Sequence, residues 1–132
     1  MITGLNHITI AVSNLAQSLE FYRDILGFKA HVKWLGGAYL SVGDMWFCLS
    51  CDEPSPAQDY THIAFSISEE DFHRFSERVL AQGVNVWKKN KSEGLSLYIL
   101  DPDGHKLELH SGSLSSRLES LKEKPYPELE WL

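Results

Sequence analysis

Between residues 5 and 13 the chain alternates apolar and polar side chains, reading NHITIAVS from Asn6 to Ser13. A period of two predicts a β-strand with one face in a core. Residues 61–68, THIAFSIS, repeat the arrangement: a polar residue, His, Ile, a small residue, an apolar β-former, a small residue, Val or Ile, then Ser. After each of these strands the period lengthens. In NLAQSLEFYRDILGF the residues Leu15, Leu19, Tyr22, Ile25 and Leu26 form one stripe, which predicts a helix capped by Ser13 or Asn14 and ended by Gly27. SEEDFHRFSERVLAQG predicts a second helix, with Ser68 or Glu69 at its start, acid in its first turn and Gly83 at its end. Three strand-like runs follow each helix: KAHVKWL, AYLSV and MWFCLS, then NVWKK, LSLYIL and HKLELH. Gly36-Gly37, Gly43-Asp44 and Asp101-Pro102-Asp103-Gly104 supply turns.

The chain therefore reads as an α+β fold made of two βαβββ modules, with mixed sheets that could curve into a cup. Module 1 spans 4–50 and module 2 spans 60–112, joined by the polar, proline-containing linker CDEPSPAQD at 51–59. The tail, 113–132, begins as an amphipathic helix with Leu114, Leu118 and Leu121 on one side, stopped by Pro125 and Pro127. A length of 132 residues suits one compact domain, 1–132, whose modules share a core.

Alternation also sorts the strand faces. Ile8, Ile10 and Val12 turn toward the helix, as do Ile63, Phe65 and Ile67. His7 and Thr9 turn away from it, as do Tyr60, His62 and Ala64. In the last strand of each module Cys48 aligns with Glu108, both on the face away from the helices. A carboxylate inside an otherwise apolar strand costs free energy unless it is paired or bound to a cation. Two imidazoles and one carboxylate on such faces suit a three-ligand divalent metal site with open positions for substrate.

The formal charge of −6 argues against general binding to nucleic acid or anionic lipid. Base is concentrated in Lys88-Lys89-Asn90-Lys91, which is either a solvated loop or a local anion site. No run approaches the ~20 apolar residues of a membrane span, and MITGLNH carries no secretory pattern, so a cytoplasmic location is expected. Cys48 and Cys51 would stand about 10 Å apart on one strand, beyond the ~7 Å reach of a disulfide, and read as free thiols.

Together these stretches resemble the vicinal oxygen chelate superfamily. The similarity extends over nearly the whole chain to the fosfomycin-resistance glutathione transferases of the FosA type. GLNHITIAV, FYRDILGF, GAYLSVG, WFCLS, DYTHIAF, WKKNKSEGLSLYILDPDGHKLELH and SLSSRL carry it. The resemblance implies metal ligation, usually of Mn²⁺ with Zn²⁺ as an alternative, by His7, His62 and Glu108. It implies phosphonate contacts from Thr9, Lys88, Ser92, Tyr98 and Arg117, pocket walls from Trp46 and Tyr60, and a K⁺-binding loop at Asn90, Ser92, Glu93, Gly94 and Ser96. Trp34 and Tyr39 fall where the family receives glutathione. Thr9 and Tyr39 are the candidate catalytic residues. The implied partners are fosfomycin, glutathione and a second copy of the chain. In that homodimer, modules pair across subunits and each site takes His7 from one subunit and His62 and Glu108 from the other. Pairing of modules within one chain is the alternative.

The implied reaction is opening of the fosfomycin epoxide by the glutathione thiolate. A divalent cation at the epoxide oxygen would stabilise the charge that forms there. Competing activities on the same fold are an Fe(II) extradiol dioxygenase, which uses the same two-His-one-carboxylate set, a fosfomycin hydrolase using water, and a non-catalytic drug-binding protein. A cysteine at position 48 argues against a four-ligand glyoxalase-like centre.

Overall fold

A computed structural model describes residues 1–132. It contains eight strands and three helices. The strands are β1 (His7–Val12), β2 (Lys29–Trp34), β3 (Gly37–Val42), β4 (Met45–Cys51), β5 (Ile63–Ser66), β6 (Val86–Lys88), β7 (Leu95–Leu100) and β8 (Lys106–Ser111). The helices are α1 (Leu15–Leu19), α2 (Glu69–Ala81) and α3 (Leu114–Glu123). Two four-stranded sheets result, ordered β1-β4-β3-β2 and β5-β8-β7-β6. In each, the first strand pairs parallel with the last, and the other pairs are antiparallel. The predicted repeat is thus the observed architecture. β1 and β5 are edge strands.

The predicted face assignment holds. Ile10, Val12, Phe47, Leu49, Phe65, Leu107 and Leu109 are buried in one core that both modules share. Aromatic packing crosses the module boundary, with Phe65 edge-on to Phe28 at 5.1 Å and to Phe47 at 5.8 Å between ring centres. Polar contacts tie the modules as well. The Tyr22 hydroxyl donates to Asp101 Oδ2 at 2.7 Å, and His105 Nε2 lies 2.7 Å from the Ala11 carbonyl. The Asp101–Gly104 turn is held from inside, because Asp101 Oδ1 accepts the backbone N–H groups of Asp103 and His105. Burial pushes the Asp101 carboxyl above the usual carboxylate range, against the lowering effect of these donors.

Three local features depart from the expected pattern. The first helix is α-helical only through Leu19; Glu20–Ile25 continue as a π-helix, and Leu26 N–H donates to the Phe21 carbonyl five residues back. The wider turn brings both Phe21 and Tyr22 inside with Leu26, where a 3.6-residue period selects Tyr22 but not Phe21. The second departure is in the tail. α3 forms with a Ser113–Ser116 capping box, but only Leu121 of its stripe is buried; Leu114 and Leu118 are 74 % and 39 % exposed because no other part of the chain covers them. The third is at position 62, where β5 begins one residue after His62.

Candidate metal centre

The second module supplies the denser half of the site. β8 is central in its sheet, so Glu108 is buried, 7 % exposed, on the face away from the helices. Its Oε1 lies 3.0 Å from His62 Nε2. The other imidazole nitrogen, Nδ1, donates to the Tyr60 carbonyl at 2.7 Å. In the neutral ring that bond leaves Nε2 with a lone pair facing a carboxylate oxygen, an arrangement that a cation between them would satisfy. Two donors each roughly 2.1 Å from one ion and at right angles stand about 3.0 Å apart, which fits the observed spacing. A backbone carbonyl behind the distal nitrogen is the usual support of a metal-ligating histidine. Glu108 Oε2 accepts from Ser96 Oγ at 2.6 Å. The residues present therefore fit a divalent ion.

Of the predicted anion contacts, Lys88 and Tyr98 stand beside this pair, with the Tyr98 ring 6.2 Å from that of His62. The Lys88 ammonium bonds the Tyr60 hydroxyl and lies 4.5 Å and 4.7 Å from the ring centres of Tyr60 and Tyr98. The hydrogen bond to Tyr60 raises its pKa and keeps it charged. Lys88 reaches this face through a register shift. Val86 pairs with Ile99, but Lys88 pairs with Tyr98 rather than with Leu97. Without this bulge, period two would aim Lys88 at the core side, where Leu97 pairs with Leu109.

The first module supplies His7, exposed at the start of β1. Its Nδ1 bonds Asn6 Oδ1 at 2.7 Å, which leaves Nε2 free to ligate. The ring packs on Trp46 at 4.3 Å between centres. Trp46, Tyr39 and Trp34 continue as an edge-to-face row at 5.2 and 4.7 Å. Thr9 and Tyr39 both pair with Cys48, and these neighbours reduce the small thiol to 5 % exposure. Cys48 and Cys51 are free, as expected.

The three predicted ligands do not all meet within one chain. No three His, Cys, Asp or Glu side chains gather within it at metal-binding spacing. His62 and Glu108 meet; His7 is on the other sheet.

The Asn90–Gly94 loop is organised by side chains. Asn90 Nδ2 donates to the Gly94 carbonyl at 2.8 Å, and Asn90 Oδ1 accepts from the backbone and hydroxyl of Ser92. Arg117 of α3 donates through Nε to Glu93 Oε2 at 3.0 Å and through Nη2 to the Glu93 carbonyl and Ser92 Oγ. The Arg117 guanidinium holds the Glu93 carboxyl below its ordinary range. Arg117 is thus first a clamp between α3 and the loop, and most of its five N–H donors are engaged there. Of the predicted loop residues, Ser96 turns its hydroxyl to Glu108 instead.

Two neighbours escape a reading of the sequence by period alone. Trp87 sits in the β6 bulge, 5.6 Å from the His62 ring and 5.2 Å from Tyr98. Asn6 supports His7. His110, which alternation puts on the same face as Glu108 two residues earlier, contacts Ser96; the contact, not the face, is what the sequence does not show.

The profile of the Glyoxalase/Bleomycin resistance protein/Dioxygenase superfamily matches residues 4–109. A glutathione transferase FosA from Serratia marcescens is 54 % identical over 131 residues, covering 96 % of this chain and 93 % of that protein. A metallothiol transferase FosB from Staphylococcus haemolyticus is 44 % identical, covering 96 % of each. A crystal structure of a mutant of the fosfomycin resistance protein FosX from Listeria monocytogenes, complexed with Mn(II) and 1S,2S-dihydroxypropylphosphonic acid, superposes with a TM-score of 0.83. It is 31 % identical and covers 91 % of this chain and 98 % of that one. The chain belongs to the glyoxalase/bleomycin resistance/dioxygenase superfamily and, within it, to the fosfomycin-resistance transferases.

Proposed function

We propose that the chain is a glutathione transferase that inactivates fosfomycin by adding the glutathione thiol across its epoxide. The His62–Glu108 pair carries this reading: a buried carboxylate 3.0 Å from an imidazole whose other nitrogen is already committed, beside a lysine set between two tyrosines. The 54 % identity with the Serratia glutathione transferase, over 96 % of this chain and 93 % of that protein, supports the choice of nucleophile.

His62 and Glu108, with His7 of a second copy, would hold Mn²⁺. Bound there, the ion would offset the charge that develops on the epoxide oxygen. The chain's own groups do the rest. Lys88, Tyr98, Thr9 and Ser92 bind the phosphonate, and Tyr60 and Trp46 wall the pocket. Lys88 contributes fixed positive charge in a protein that is acidic as a whole. Arg117 keeps the loop in place and offers the phosphonate the donors that Glu93 leaves over. Asn90, Ser92, Glu93 and Gly94 form the K⁺ loop; Ser96, the fifth residue expected there, follows on β7 with its hydroxyl committed to Glu108. Trp34 and Tyr39 receive glutathione, with Tyr39 nearest the thiol. In the reaction the sulfur–carbon bond forms as the carbon–oxygen bond breaks, and the alkoxide takes a proton.

The active unit is a homodimer with shared sites. The exposed aromatic row on the first sheet supports this, with Trp34 45 % and Trp46 39 % exposed in one chain. The uncovered leucines of α3 and the unpaired edges of β1 and β5 support it too. No helix is long and apolar enough to cross a membrane.

The test is direct. Mn²⁺-loaded protein is mixed with fosfomycin and glutathione, and products are read by mass spectrometry. The glutathione adduct is the expected product. A diol formed equally well without glutathione would replace this reading by hydrolysis, and turnover of a catechol would replace it by dioxygenation.

A further inference from the structure

Glu108 is held by more than His62. Ser96 Oγ stands 2.6 Å from Glu108 Oε2 and 2.7 Å from His110 Nδ1. A hydroxyl has one proton to give. The carboxylate oxygen can only accept, so that proton goes to Glu108. Ser96 Oγ must then accept from His110, whose Nδ1 carries hydrogen. His110 Nδ1 is itself 3.4 Å from Oε2, too long to replace the serine. The two bonds run in one direction, from imidazole to hydroxyl to carboxylate.

The backbone fixes the ring that starts this chain. Gly94 has φ +81°, and a Cβ there would come within 2.9 Å of His110 Cε1 and 2.7 Å of the Ser111 carbonyl. A Cβ on Gly112 would fall 2.5 Å from His110 Nε2. Only glycine on both sides leaves room for the imidazole. Ser96 and His110 are also directly paired across β7 and β8. The arrangement is therefore built into strand register, not left to a mobile surface contact.

We infer that His110 is a positioning residue for the metal site: by donating to Ser96 it turns the serine proton onto Glu108 Oε2 and thereby presents Oε1 to the ion beside His62. This deepens the metal reading above and rests on it. Because Gly94 belongs to the same loop as Asn90 and Ser92, the ring also joins that loop to the ligand.

Direct Mn²⁺ titration of the intact protein, followed by the electron paramagnetic resonance of free Mn²⁺, tests the inference without turnover. Wild type, Glu108→Ala, Ser96→Ala, His110→Ala, His110→Asn and the Ser96→Ala/His110→Ala double variant are compared, with circular dichroism and thermal unfolding of the metal-free forms as controls. Outer-shell partners of metal ligands typically change affinity by about 10- to 100-fold. His110→Ala is expected to weaken Mn²⁺ binding about 10-fold. His110→Asn, whose amide N–H can take the place of Nδ1–H, is expected to restore most of it. The double variant is expected to bind no more weakly than Ser96→Ala alone, since the histidine acts through the serine. Wild-type affinity in His110→Ala, failure of Asn to rescue a folded protein, or additive losses in the double variant would overturn the inference. Undiminished binding in Glu108→Ala would instead overturn the metal reading itself.

Discussion

The two modules share one backbone plan and differ in what their equivalent positions carry. Tyr39 pairs with Cys48 in the first, and Tyr98 pairs with Glu108 in the second. The same bulge interrupts both outer hairpins, so Val32 opposes Tyr39 where Lys88 opposes Tyr98. His7 and His62 stand at the mouths of matching strands. Yet the first module has a thiol and a valine where the second has a carboxylate and an ammonium. Its concave face is a row of aromatic rings. The second gathers Glu108, Lys88 and His110. On the proposed reading the duplicated frame divides its work. One half would handle charge, with two ligands and an anion contact. The other would contribute a single ligand and an aromatic surface suited to an organic thiol.

The sharpest way to break this comparison is to remove the matched residues in turn. Glu108→Ala is expected to weaken Mn²⁺ binding by more than about 100-fold, whereas Cys48→Ala is expected to change it less than about threefold; calorimetric titration of both variants decides it. Equal losses would mean that the thiol is also a ligand. A second contrast concerns the substrates. Lys88→Ala is expected to raise the KM for fosfomycin roughly 10-fold and leave that for glutathione little changed, while Trp34→Ala does the reverse. Steady-state kinetics with each substrate varied would expose a shift in the wrong substrate. The smallest effect lies where the modules join. Burial raises the Asp101 pKa in the folded chain, so the folded state holds that proton more tightly than the unfolded state. This contribution to stability is fully present below the unfolded value of about 4 and is lost as pH rises through the raised folded value. Asp101→Asn should therefore flatten the dependence of urea-unfolding stability on pH across that window. An unchanged pH profile would contradict the assignment.

Much of this was legible in the residues because both signals that carry it are periodic. Alternation placed His7, His62, Cys48 and Glu108 on the correct faces, and repetition of NHITIAVS as THIAFSIS exposed the duplication. What period cannot register is a change of period. The π-helical turn at Glu20–Ile25 brings Phe21 inside, and the bulge at Trp87 turns Lys88 to the concave side. Lys88 itself was assigned by resemblance, not by alternation. Arg117 shows the opposite limit: its place at the anion loop was expected, but its pairing with Glu93 depends on a helix and a loop meeting in space. The exposed leucines of α3 have a stripe that is plain in the sequence, but nothing in a single chain to cover it.

The central claim is that one ion is held by His7 of one chain and by His62 and Glu108 of another. Two inactive variants, His7→Ala and Glu108→Ala, are unfolded together, refolded as a mixture and assayed for the glutathione adduct. Random reassortment makes about half of the dimers mixed, and each mixed dimer regains one intact site of its two. The account predicts recovery of about one quarter of wild-type activity. A mixture as inactive as its components, with mixed dimers verified by mass spectrometry, would contradict it.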